Sequence, residues 1–159
     1  MPRRRSDNSG RRLLADPVPD YVRSLQDNLQ YEGSSKHKQH PHRYGLDPFR
    51  GRRGDETLCD RDAGFDPDQM RTIPDMIERS LQAGLVGKNG MVWAVADNGW
   101  IYEARITNID RPEYHGYPVR DSEAIAQPVY ERFAKWAGDQ GDERASLAAE
   151  NCKRLYGFR

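Results

Sequence analysis

Two strand-like runs separated by a three-residue turn constrain this chain most. Met91-Val92-Trp93-Ala94-Val95-Ala96 and Trp100-Ile101-Tyr102-Glu103-Ala104-Arg105-Ile106-Thr107 flank Asp97-Asn98-Gly99, residue types that tolerate the positive φ of a tight hairpin turn. In the second run Glu103, Arg105 and Thr107 alternate with Trp100, Tyr102, Ala104 and Ile106. That alternation predicts one buried face and one wet face. Tyr114-His115-Gly116-Tyr117-Pro118-Val119 supplies a third strand, with Pro118 at a sheet edge or at the strand's end.

Helical signals surround these strands. Asp20 can cap a helix carrying Val22, Leu25 and Leu29 at helical spacing, with Gly33 just beyond it. Asp66-Pro67-Asp68-Gln69 and Thr72-Ile73-Pro74-Asp75 each read as a helix start with proline early. They predict a single turn and then a longer helix over about Pro74 to Ala83, with Ile73, Ile77 and Leu81 on one face and Gly84 at its end. Ser122 opens a further helical region whose stripe Val129, Phe133, Trp136 and Ala137 is ended by Gly138. A last helix, about Asp142 to Tyr156, carries Leu147, Ala148, Cys152 and Leu155. The expected fold class is α+β, a small antiparallel sheet of hairpin plus third strand with helices packed on one face.

With 159 residues and 36% hydrophobic content, the chain is long enough for one domain with its own core. Its apolar fraction is below the roughly 45–50% of ordinary globular chains, which implies a frayed end. Residues 1–16 mix Arg, Ser, Asn, Gly and Pro without periodicity and read as a disordered basic arm. Residues 17–159 read as the single domain, interrupted at 33–64 by a Gly-, Pro- and charge-rich stretch lacking either period. Loops beyond about 12–15 residues are uncommon inside compact domains and are usually functional or disordered. Tyr44, Leu46, Phe49 and Leu58 can pin this one to a core, which favours an ordered, functional loop.

The longest apolar run, the six residues Met91–Ala96, is far short of the about 20 that span a bilayer, so no membrane partner is expected. The N-terminal arginines are followed only by Leu13, Leu14 and Ala15, too little for an export signal. Cys59 and Cys152 form no C-x-x-C pair, which leaves neither a disulfide framework nor a four-cysteine zinc site and points to a reducing cytoplasm. The net charge of zero conceals an asymmetry: residues 1–54 carry +6 and residues 55–159 carry −6. A basic segment on an acidic body can bind a polyanion, or lie solvated, or pair with the protein's own acidic face.

The densest chemical cluster is Lys36-His37-Lys38-Gln39-His40-Pro41-His42-Arg43, followed by Gly51-Arg52-Arg53-Gly54. Histidine can take and return a proton near neutrality, while Lys and Arg hold the non-bridging oxygens of a phosphate. Metal-independent RNA cleavage needs that set. The same residues also suit a solvated loop, or a zinc site built from His37, His40 and His42 with Cys59 or Asp60. The sequence carries no cofactor signature: neither a phosphate-binding P-loop, G-x-S-x-G nor H-E-x-x-H occurs. His115, the one histidine outside the cluster, suits a structural strand position as well as a groove facing the loop. Trp93, Trp100, Tyr102 and Trp136 suit core packing better than base stacking. Cys59, beside Asp60 and Asp62, makes a poor nucleophile.

The order of parts, a helix, a Lys-His element, a helix over Asp75–Gly84 and an antiparallel meander over Met91–Thr107 and Tyr114–Val119, resembles the small RNase toxin domains of the barnase, EndoU, colicin and RelE kind. The resemblance covers about residues 20–120. It implies an α+β fold, metal-independent RNA cleavage without a cofactor, and catalytic positions at Lys36, His37 and His115. The Arg-rich insertion after His42 and two additional C-terminal helices depart from that layout.

The leading expectation is a cytoplasmic, metal-independent endoribonuclease of toxin or defence type, with RNA and an inhibitor or partner protein as its partners. In it His37 serves as base or acid, His40 or His115 as its complement, and Lys36, Arg43, Arg52 and Arg53 as phosphate binders. The alternative is a non-catalytic adaptor module that binds nucleic acid or an acidic protein and has no need of the histidines. The two-histidine mechanism requires the loop and His115 to converge on one groove floored by the Met91–Thr107 hairpin.

Overall fold

The computed structural model describes residues 11–27, 30–31, 38–44, 46, 50, 58–65, 67–106 and 113–159. Helix α1 (Pro19–Asp27) precedes a two-residue strand β1 (Gln30–Tyr31), a 3-10 turn (Pro41–Tyr44) and a short helix α2 (Cys59–Asp62). A second 3-10 segment (Pro67–Thr72) leads into α3 (Ile73–Gln82). The sheet continues with β2 (Val92–Val95), β3 (Ile101–Ile106) and β4 (Glu113–Pro118), and the chain ends in α4 (Ala126–Gln140) and α5 (Glu143–Tyr156). The architecture is α+β. Three strands run antiparallel in the order β4-β3-β2, and β1 adds to β4 in parallel. Pro118 closes β4, where its missing N–H interrupts nothing further along the strand.

The hairpin forms where its sequence places it. Gly99 turns the chain at φ +95°, and its N–H donates to the Ala96 carbonyl at 2.9 Å. Trp93 pairs with Glu103 and Val95 with Ile101 across the strands, while Val92 pairs with Ala104 and Ala94 with Tyr102. Alternation then splits the side chains into two sets, and both are buried. Trp93, Val95 and Ile101 join Val129, Phe133, Ala137, Ala148 and Cys152 in a core under α4 and α5. Val92, Ala96, Tyr102 and Ala104 join Ile73, Ile77, Leu81 and Phe65 in a second core under α3. Each large side chain so buried contributes roughly 1.5–3 kcal/mol.

Helices therefore lie on both faces of the sheet, where the sequence reading put them all on one. The cause is β2: all four of its residues are buried, so its second apolar face needs a cover, and α3 supplies it. Gly138 sits inside α4, and Gly141, at φ +65°, terminates it. In α5 the Asp142 carboxylate accepts the Ala145 N–H at 3.1 Å and caps the helix. Among the described residues no helix is long and apolar enough to cross a membrane.

The second correction concerns the wet face. Glu103 is fully buried, because its carboxylate meets the guanidinium of Arg11. Arg11 donates from Nε to Oε1 at 3.1 Å and from Nη2 to Oε2 at 2.8 Å, and Nη2 also reaches Glu123 at 2.9 Å. Arg105 Nη2 and the Tyr117 hydroxyl complete the shell of Glu103. Residues 11–16, expected to belong to a disordered arm, are thus part of the fold. Leu13 bridges Gly87, Leu14 donates its N–H to Val86 at 2.9 Å, and Arg132 holds the Leu14 carbonyl at 2.7 Å. Residues 1–10 lie outside the described residues.

Candidate functional site

Of the residues expected to carry chemistry, Lys36, His37, Arg52 and Arg53 lie outside the described residues. His40 and Arg43 are described in full, and His115 by its backbone alone. The site built from the described residues is the segment from Lys38 to Tyr44, where Pro41 starts a 3-10 turn with its own ring buried. Arg43 donates its N–H to the His40 carbonyl, and Leu46 donates to Pro41, both at 3.1 Å.

Two anchors hold this turn. The first is aromatic. The Tyr44 ring stacks on Phe65 with centroids 5.9 Å apart, and its hydroxyl donates to the Phe65 carbonyl. Phe65 in turn meets Tyr102 of β3 edge to face at 6.0 Å, so the hairpin does floor this segment. Lys38, fully buried, places its ammonium 5.2 Å from the Tyr44 ring centre and 5.3 Å from that of Phe65. The second anchor is Asp60 of α2. One carboxylate oxygen accepts the Gln39 N–H at 2.7 Å and the other accepts the His40 N–H at 2.8 Å. Burial pushes the Asp60 carboxyl up, but these amides, with that of Arg61, outweigh it and hold the group below the usual carboxylate value.

With its backbone fixed, the turn presents His40, His42 and Arg43 to solvent. The two imidazoles stand edge to face with centroids 6.0 Å apart. His42, named in the basic cluster but given no part in the acid–base set, is thus the neighbour that the structure gives His40. Among the described residues no group of three or more His, Cys, Asp or Glu is gathered to hold a metal ion.

His115 occupies the β4 position paired with Arg105 of β3, two residues before Tyr117, which pairs with Glu103. The pleat puts this position on the sheet face of Glu103 and Ile101. The Lys38–Tyr44 segment is stacked, through Phe65, on the opposite face, that of Tyr102. The helix α2 that clamps His40 does pack against β4, yet the register assigns the turn and position 115 to different faces. Beside that position the Arg105 side chain is 44% exposed, with its guanidinium 5.9 Å from the Tyr117 ring centre.

Trp93 and Tyr102 are core residues, which leaves neither ring for base stacking. Cys152 is buried, and burial pushes its thiol up to about 12, far from thiolate formation. Sequence reasoning placed Lys38 in the basic cluster and Asp60 among candidate zinc ligands, and missed the burial of the one, the amide contacts of the other and the Glu103 cluster. A lysine between His37 and Gln39 in a basic run carries no signal of burial, and Asp60 serves backbone amides 20 and 21 residues away. Compared with family models, with curated proteins and with solved structures, the chain matches none.

Proposed function

We propose that this protein binds RNA through the Lys38–Tyr44 turn. The observation that carries the reading is a backbone fixed from beneath, by Asp60 and by the Tyr44–Phe65 stack, with His40, His42 and Arg43 directed outward. Ordering flexible side chains on binding costs free energy, and a turn already fixed in the free protein avoids part of that cost. Arg43 offers a phosphate the planar fork that suits it, while the imidazoles can stack on bases or donate to phosphate oxygens. The basic balance of residues 1–54 supplies long-range attraction. Binding of this kind needs no convergence with His115.

A second reading, metal-independent endoribonuclease action, draws on the 6.0 Å separation of the His40 and His42 rings. At that spacing one imidazole can remove the proton from a ribose 2′-hydroxyl while the other protonates the departing 5′-oxygen. The new bond joins the 2′-oxygen to phosphorus as the P–O5′ bond breaks, leaving a 2′,3′-cyclic phosphate and a 5′-hydroxyl. Arg43 then steadies the non-bridging oxygens. The toxin or defence role, with Lys36 and His37 as further catalytic groups, rests on the resemblance in element order and the Lys-His pair.

One experiment separates the readings. Fluorescence anisotropy with a labelled single-stranded RNA reports affinity at several salt concentrations, and gel analysis of the same samples in EDTA reports cleavage. Binding that weakens steeply with salt and survives His40→Ala with His42→Ala, in the absence of cleavage, supports the binding module. Cleavage in EDTA that the same double variant loses would establish the nuclease.

A further inference from the structure

The hairpin of α4 and α5 carries an open groove of about 710 Å³ on its solvent side. Its floor is made of small side chains, Ala134 and Gly138 from α4 with Ser146 and Ala149 from α5, and the stacked rings of Tyr130 and Phe158, 5.0 Å apart, bound one end. Gly138 lies inside α4, where alanine would make the better helix. A Cβ built on it would meet nothing outside its own helix within 4 Å, so packing within the chain does not call for glycine there. A floor this low lets a further helix approach closely. Leu147, the most exposed large apolar side chain among the described residues at 58%, stands one helical turn from Glu150 on the groove wall.

We propose that this groove is the interface of a homodimer, in which two copies of the hairpin pack face to face about a two-fold axis. Charge identifies the occupant. At the end next to the Gly141 turn, Asp139, Asp142 and Glu143 are exposed, with Lys135 facing Asp139 at 3.7 Å. At the other end Lys153 and Arg154 are exposed, with Glu131 beside Tyr130. A two-fold axis across the groove lays the acidic end of each copy on the basic end of the other. Along α5 the lining runs from Ser146 to Gly157. Reversed on itself, that stretch sets Ser146 against Gly157 and Glu150 against Lys153, so the acid on the groove wall meets a base from the second copy. The same reversal brings Leu147 level with the stacked rings of Tyr156 and Phe158. The dipole of α5 accounts by itself for Glu143 in the first turn and for Lys153 and Arg154 in the last. It does not account for Gly138, nor for Asp139, an acid in the last turn of α4. Both helices cover the sheet face opposite the Lys38–Tyr44 turn, so the dimer leaves that turn free and does not depend on the RNA-binding reading.

Sedimentation equilibrium of the full chain over about 1–200 µM tests the proposal, with a thermal melt of each variant. The parent should form dimers across that range, more weakly as salt rises. An acidic variant, Lys153→Glu with Arg154→Glu, and a basic variant, Glu143→Lys with Glu150→Lys, should each associate at least about tenfold more weakly, because like charges then face each other. An equimolar mixture of the two should recover dimers, since every reversed pair is again opposite in sign. Gly138→Leu fills the groove from open space, so it should melt no lower than the parent and associate at least about tenfold more weakly. A parent that stays monomeric at every concentration overturns the proposal. So does a mixture of folded charge variants that fails to recover dimers, and so does a Gly138→Leu dimer as tight as the parent's, which would place the contact elsewhere. Should a charge variant fail to fold, Gly138→Leu decides alone.

Discussion

Arg11 and Glu103, 92 positions apart in the chain, face each other as a buried two-pronged ion pair, with Nε to Oε1 at 3.1 Å and Nη2 to Oε2 at 2.8 Å. The pair fastens the N-terminal segment to the middle of β3. Glu123 ties the same guanidinium to the turn before α4. Burial lowers the Arg11 pKa, but hydrogen bonding and attraction to the two carboxylates outweigh it and raise the value, so the guanidinium stays charged in the fold. Removing Arg11 takes from the buried Glu103 its two-pronged guanidinium contact, and removing Glu103 takes the same contact from Arg11, whereas removing both removes the cost of burial along with the attraction.

Arg11→Ala and Glu103→Ala are therefore each expected to lower stability by about 3–5 kcal/mol. In a chain of this length that is a fall in melting temperature of roughly 2–4 °C per kcal/mol. Arg11→Met combined with Glu103→Leu should recover most of the loss. Calorimetry of the three proteins decides, and a double variant no more stable than either single one would show that the pair does more than neutralise itself.

This pair also marks how far the sequence could be read. Met91–Ala96 and Trp100–Thr107 announced the hairpin through residue type and turn chemistry, and the Thr72-Ile73-Pro74-Asp75 run announced the start of a helix. All of these are local signals. Glu103 looked like a solvent-facing strand residue and Arg11 like part of a basic arm, because what buries each is the other, and no periodicity records a partner so far along the chain. Lys38 was hidden for a similar reason: its seat is made by Tyr44 and by Phe65, 27 residues away. The sequence identified the basic histidine segment, while its fixing by Asp60 and its sheet face depended on tertiary placement.

The hairpin turn is pressed against α5. A Cβ on Gly99 would stand 2.5 Å from the backbone of Asn151 and Cys152, at a φ of +95° that disfavours any side chain. Gly99→Ala should cost at least about 1–3 kcal/mol from backbone strain alone. Gly141→Ala, at φ +65° with open space around it, carries the strain without the clash and should cost less. Denaturant midpoints of the two variants check the order.

The same turn predicts an acid response. Burial raises the Asp97 carboxyl, but hydrogen bonds and charge from Arg144, at 2.7 and 3.0 Å, and from Arg79 outweigh it and hold the group below its ordinary value. A depressed folded-state value means stability that is present above the unfolded value, about pH 4, and lost as pH falls through the folded one. The urea midpoint of the parent should therefore drop below about pH 4 more steeply than that of Asp97→Asn. Parallel curves would show that the ion pair is fully screened by solvent.

Asp60 titrates in the same direction, and its loss of charge should be visible where it acts. As pH falls below the ordinary carboxylate range, the amide proton resonances of Gln39 and His40 should move upfield together, since their hydrogen bonds to a carboxylate weaken. In Asp60→Asn both should stay put. Movement of the His40 amide in that variant would assign the change to imidazole titration instead.

The central claim, that the turn over Lys38–Tyr44 is an RNA-binding surface, is tested most directly by the salt dependence of binding in a single variant. Arg43 is exposed on that turn, and an arginine on a phosphate contributes about 0.7 to the slope of log affinity against log salt for a single strand. Anisotropy titrations of a labelled single-stranded RNA across 50–300 mM salt should give a slope shallower by about that amount in Arg43→Ala than in the parent. An identical slope and affinity in the two proteins would contradict the account and place any RNA contact elsewhere on the molecule.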